Sequence, residues 1–119
     1  MLILVAGPYR SGTGDDPALI AANMRAMNEA ALALFRLGHL GVTGEMVALP
    51  LIETAGSTAI GDAPFDEIFH PSAHRLLACC GAVLRIGGAS AGADDMVETA
   101  RSLGLRVFTD LADVPSPAA

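Results

Sequence analysis

Apolar positions along the chain change their spacing several times, and each change marks an element. Leu2 to Ala6 is a short unbroken apolar run closed by Gly7-Pro8, the pattern of a strand buried on both faces of a parallel sheet. From Leu19 the period lengthens: Leu19, Ala22, Met24, Met27, Ala30, Ala31, Leu34 and Phe35 recur at helical spacing. Asp16-Pro17 supplies an N-cap and a favoured first helical residue, and Gly38 supplies the residue that ends the helix. His39 to Thr43 predicts a short second strand. Glu45 to Thr54 has mixed helical character interrupted by Pro50, and residues 55–66, rich in Gly, Ala, Ser, Thr, Asp and Pro, predict a loop and candidate lid.

His70-Pro71 repeats the cap-then-proline signature, which predicts a helix over Pro71 to Ala78 with His70 outside it. A third strand follows from Cys79 or Cys80 to Ile86, then a glycine-rich turn, a helix from Ser90 to Gly104 and a last strand from Leu105 to Thr109. Residues 114–119 predict a flexible tail. Strand and helix alternate from end to end, so the expectation is one α/β domain over residues 1–119. Its three layers are built on an open parallel sheet of four to five strands, with right-handed crossovers.

Composition narrows the function classes. A chain of 119 residues has room for one core. Its seven basic residues are all arginine and face thirteen acids, for a formal charge of −6. With no basic stripe to replace phosphate counterions, a nucleic-acid partner is excluded. A hydrophobic share of 52% against 17% charged residues excludes disorder. No apolar stretch approaches the ~20 residues that span a bilayer, and Met1 to Ala6 lacks the basic start of a signal peptide. A cytoplasmic location with no membrane partner is therefore expected. Cys79 and Cys80 are adjacent, which disfavours a disulfide between them and predicts two buried thiols.

In an open parallel sheet, ligands bind beyond the carboxyl ends of the strands where strand order reverses. Two loops qualify: residues 7–16 after the first strand and residues 87–95 after the third. The first has the glycine spacing of a P-loop, but Thr13 stands where the phosphate-binding lysine belongs. Gly12-Thr13-Gly14 also fails as a dinucleotide fingerprint, with Pro17 at the third glycine position. No cofactor is expected. In the second loop Gly87, Gly88 and Gly92 expose backbone N–H groups near a helix start, and Ser90 serves either as a cap or as a ligand contact. Asp94 and Asp95 serve either the helix dipole, worth about 0.3–1 kcal/mol, or a hydroxyl-rich neutral ligand. Glu98 follows on the same helix, and paired carboxylates suit glycosidic chemistry. Arg85, in an otherwise apolar strand, is either half of an ion pair or a phosphate contact. Glu67, His70 and His74 would share a helical face, but Pro71 at the predicted helix start puts His70 outside it, so no metal site is expected. His39 reads as structural.

The strand followed by Gly7-Pro8-Tyr9, the acidic middle, and the strand followed by Gly88-x-Ser90-x-Gly92-Ala93-Asp94 opening a helix resemble the nucleoside 2-deoxyribosyltransferase-like superfamily, in particular a branch of small bacterial proteins. The resemblance covers nearly the whole chain. It implies a flavodoxin-like, Rossmann-like sheet, cleavage or transfer at the N-glycosidic bond of a nucleoside or nucleotide, and a homodimer or homotetramer. Carried over position by position, Tyr9 sits over the sugar, and Gly7, Pro8, Arg10, Arg85, Gly88, Ser90, Gly92 and Asp94 hold the substrate. Met96 falls where the nucleophilic glutamate of the family stands. The chemistry is then expected of Asp95 or Glu98 with Tyr9; the alternative is a binding module without catalysis.

Overall fold

A computed structural model describes residues 1–117. The elements run β1 (Leu2–Ala6), α1 (Pro17–Arg36), β2 (Leu40–Val42), α2 (Gly44–Thr54), α3 (Ala63–Leu77), β3 (Ala82–Arg85), α4 (Ala91–Ser102) and β4 (Arg106–Phe108), with a 3₁₀ turn over Leu111–Asp113. The four strands form one all-parallel sheet in the order β2-β1-β3-β4. The chain is an α/β protein of the flavodoxin-like or Rossmann-like kind, with helices on both faces of the sheet.

The alternation of the strands divides the core in two. Ile3 and Val5 of β1, with Ala82 and Leu84 of β3, point to one face and pack with Met27, Ala31 and Leu34 of α1. Leu4, Ala6 and Val83 point to the other and pack with Leu77 of α3 and Ala93, Met96 and Ala100 of α4. The β1-α1-β2 and β3-α4-β4 crossovers step in opposite directions from the sheet centre. Crossovers of one hand must therefore place α1 and α4 on opposite faces, as found. The reversal point lies between β1 and β3. Gly41 lets β2 lie close under α1: a Cβ built there would be 2.7 Å from Ala31 Cα.

Local signals explain most boundaries. Asp16 caps α1 by accepting from Ala18 N at 2.9 Å. Gly38, at φ +98°, ends it in a left-handed turn, with His39 N donating to Leu34 O at 3.0 Å. Gly104 closes α4 in the same way, Leu105 N reaching Ala100 O at 2.9 Å. Thr43 caps α2 through Met46 N at 3.1 Å, and α2 continues past Pro50.

Three expectations are corrected. The helix predicted to begin at Pro71 begins at Ala63, and Pro71 lies inside it. Proline within a helix costs roughly 3 kcal/mol, but this helix is already held by a strong cap at Asp62 and by apolar contacts on both sides of the proline: Phe65 toward α2 and Leu77 toward the sheet. The predicted loop 55–66 accordingly ends before Ala63. Of the two cysteines only Cys80 is buried; Cys79 is exposed, and both precede β3 in a turn. Burial pushes the Cys80 thiol up to about 11. The predicted tail is packed at its start: Val114 is buried in the α1 core, and the buried His39 donates from Nε2 to Pro115 O at 2.6 Å. The end of that tail, residues 118–119, lies outside the described residues. Among the described residues no helix is long and apolar enough to cross a membrane.

Candidate functional site

A cleft of about 230 Å³ opens where β1 ends beside β3, at the reversal point of the sheet. Its floor is Leu4 to Gly7. The first loop contributes Tyr9, Arg10 and Ser11; the start of α2 contributes Gly44 and Glu45. Phe65, Asp66, Phe69, His70 and Ala73 come from α3, and Ser90, Gly92, Ala93 and Met96 from the start of α4. Ligand pockets usually measure about 300–1,000 Å³, so this one suits a single nucleoside-sized molecule or smaller and not a dinucleotide.

The aromatic wall is built from two distant segments. Tyr9 stacks on Phe69 with ring centroids 5.4 Å apart, and Phe69 stacks on Phe65 at 4.8 Å. Tyr9 is fixed through its backbone, whose carbonyl accepts from Asn23 Nδ2 at 2.9 Å. Half-burial and then the charge of Glu45 raise the Tyr9 phenol, outweighing the opposing pull of Arg10. A row of parallel rings beside a polar floor is a surface on which a flat heterocycle or the apolar face of a sugar can lie.

Glu45 is the buried acid of the cleft. It sits second in α2, just after the Thr43 cap, and is 9% exposed. A helix start favours a carboxylate, and the Thr43 hydroxyl and Glu45's own amide hydrogen-bond to it. Burial outweighs both, so its carboxyl titrates above the ordinary value of 4.5. Gly44, beside it, allows α2 to close on α3: a Cβ there would lie 2.8 Å from Ala73 Cβ. Asp66, the second carboxylate at the cleft, is exposed on α3.

The structure brings Gly7, Tyr9, Arg10, Ser90 and Gly92 together in this cleft, whereas Pro8, Arg85, Gly88, Asp94, Asp95 and Glu98 are not in its lining. Each displaced charge has its own partner. Arg85, largely buried at the end of β3, donates to Asp94 Oδ1 from Nε at 3.2 Å and from Nη2 at 3.1 Å. It also donates to the Ile86 carbonyl and, at 2.8 Å, to the Gly88 carbonyl. It thus pins the glycine turn to α4 and forms an ion pair with Asp94. Asp95 meets His74 Nε2 at 2.8 Å, and Glu98 accepts from Arg101 at 2.9 Å on the exposed side of α4. Ser90 caps α4, its Oγ accepting from Ala93 N at 3.2 Å, and is buried at the cleft floor. Glu67, His70 and His74 do lie on one helix, contrary to expectation, yet no group of three metal-binding side chains assembles among the described residues.

Sequence reasoning missed Glu45, Asp66 and the Phe65-Phe69 wall. A signal for Glu45 existed: Thr43-Gly44-Glu45 directly follows a parallel strand, so the rule that selects the other two loops selects this one as well. No family profile matches the chain, and no curated protein does.

Proposed function

We propose that this protein cleaves or transfers the N-glycosidic bond of a nucleoside-class small molecule, with Glu45 as the reacting carboxyl. The observation that carries the reading is Glu45 itself: a buried carboxyl, titrating above its ordinary range, in a strand-end cleft beside a tyrosine and a row of stacked rings. The resemblance of the Gly7-Pro8-Tyr9 and Ser90-x-Gly92 loops to the nucleoside 2-deoxyribosyltransferase-like superfamily supports the same substrate class. In this reading the base lies along Tyr9 and Phe69, and Ser90 and the Gly92 backbone meet the sugar. Glu45, protonated, passes its proton to the departing base as the C1′–N bond breaks and the bonding pair leaves with the base. Water or a ring N–H of an acceptor base then bonds to C1′ through its oxygen or nitrogen, and the proton it loses returns to Glu45. An acid whose charged form is disfavoured by burial is suited to this role. Asp66 adds negative charge beside the cationic sugar.

The test is release of free base from a panel of ribo- and deoxyribonucleosides, with and without an acceptor base. The expected result is turnover that falls about 10²–10⁴-fold in Glu45→Gln and is little changed in Asp95→Asn or Glu98→Gln. Turnover that survives Glu45→Gln sinks the assignment. One observation favours a second reading: Met96, in the position of the family's nucleophile, lines the cleft and cannot attack a sugar. In that reading the protein binds without turnover, and nucleosides raise its melting temperature while no base is freed.

A further inference from the structure

We infer that the cleft is selective for charge: it takes the unphosphorylated nucleoside and rejects the 5′-monophosphate. The inference rests on the nucleoside-class reading above and adds the form of the substrate.

A phosphate monoester brings about −1.5 to −2 charges at pH 7 and needs a cation free to meet it. Two arginines stand near the strand ends, and both are engaged. Arg10, at the cleft, forms a forked pair with Asp15, Nε to Oδ1 at 3.0 Å and Nη2 to Oδ2 at 3.1 Å, the geometry by which guanidinium holds a carboxylate or phosphate. Asp15 occupies that fork as a built-in substitute for an anion. Asp15 reaches Arg10 from a loop in which Gly12, Gly14 and Asp15 itself all adopt positive φ, Asp15 at +60°. A non-glycine residue there is uncommon and marks a conformation held by its surroundings. Arg85 is committed to Asp94 and two carbonyls, outside the cleft.

Of the other side chains in the lining, His70 is the one that can become a cation, and it stands one helical turn from Asp66 on α3. Asp66 carries the negative charge of the cleft, and Glu45, in the protonated form that the reaction uses, brings no positive charge to offset it. The start of α4 offers a counter-effect of about half a positive charge. That falls short of the Asp66 carboxylate, and its Ala93 N–H is already taken by Ser90. A sugar hydroxyl can donate to Asp66 or Glu45 where a dianionic phosphate cannot.

The experiment compares matched nucleosides and nucleoside 5′-monophosphates, by calorimetric binding and by base release, in the wild type and in Asp15→Asn. Asparagine tolerates the left-handed backbone and removes the charge that occupies Arg10. In the wild type the nucleoside is expected to bind at least about tenfold tighter than its monophosphate, and Asp15→Asn should shift that ratio several-fold toward the monophosphate. Equal or tighter binding of the monophosphate overturns the inference, and base release from it leaves the glycosidic reading standing. Nucleoside preference without base release supports the charge selection and sinks the glycosidic reading. An unchanged ratio in Asp15→Asn overturns the role of the Arg10-Asp15 pair, and no binding of either ligand overturns both proposals.

Discussion

Glu45 is placed where its chemistry and the stability of the fold pull in opposite directions. Its carboxyl titrates above 4.5 because burial penalises the charged form. Below 4.5 it is protonated in both folded and unfolded chains. As pH rises through the folded value the native state must bury a charge that the unfolded state leaves in water, so stability is lost across that window. Glu45→Gln should therefore raise the melting temperature at pH 8 and change it little at pH 4, read by thermal unfolding at the two pH values; an equal shift at both would remove titration as the cause. Catalysis by the protonated acid follows the same group: kcat/KM should decline on the alkaline side with an apparent pKa above the ordinary glutamate value, and the pH profile of base release checks it. Tyr9, Ser90 and Gly92 were legible as site residues because each immediately follows a buried strand or starts the next helix, so local order alone brings them to the cleft. Glu45 became a buried acid only because α3, nearly twenty residues later in the chain, lies over it. Asp94, Asp95 and Glu98 were as conspicuous in the sequence as Glu45, and their outward faces on α4 gave them partners away from the cleft.

At the scale of the element, α3 decides the site, and its extent depends on Asp62. That side chain accepts from Phe65 N at 3.1 Å, from the Ser57 hydroxyl at 2.8 Å and from Thr58 N at 2.8 Å. It thus starts the helix and ties down the preceding loop together. These bonds favour the charged form and hold the carboxyl below its ordinary 3.8. A depressed folded pKa contributes stability above 3.8 that disappears as pH falls through the folded value. Asp62→Ala should accordingly lower the melting temperature at pH 7, with the gap closing toward pH 3. A gap independent of pH would assign the loss to packing. The expected break at Pro71 shows why this element was misread. Proline speaks about one missing backbone donor, whereas the helix is stabilised by the Asp62 cap before it and by Phe65, Phe69, Ala73 and Leu77 along its length. Where helix ends carried both a cap and a left-handed glycine, as in α1 and α4, the boundaries could be read directly.

For the whole molecule, the order β2-β1-β3-β4 makes β1 and β3 the central pair, enclosed on both faces. Leu84, with no solvent exposure in β3, sits at the middle of the α1 side. Leu84→Ala should cost about 2–5 kcal/mol, a large part of the roughly 5–15 kcal/mol that holds a domain together, as measured by denaturant unfolding; a loss under 1 kcal/mol would mean that the core repacks freely. The parallel sheet itself was readable from unbroken apolar runs alternating with capped helices, since both signals arise from neighbours in the chain. By itself the sequence determined the class of fold, the two loops at the ends of β1 and β3, and the net charge of −6. Only the tertiary structure decided which acid is buried, which arginines are engaged, and that α2 and α3 wall the cleft with Glu45 and the Phe65-Phe69 stack. Those outcomes depend on contacts between segments far apart in the chain, and burial, which sets both pKa and pairing, is a property of the packed molecule and not of any local run of residues.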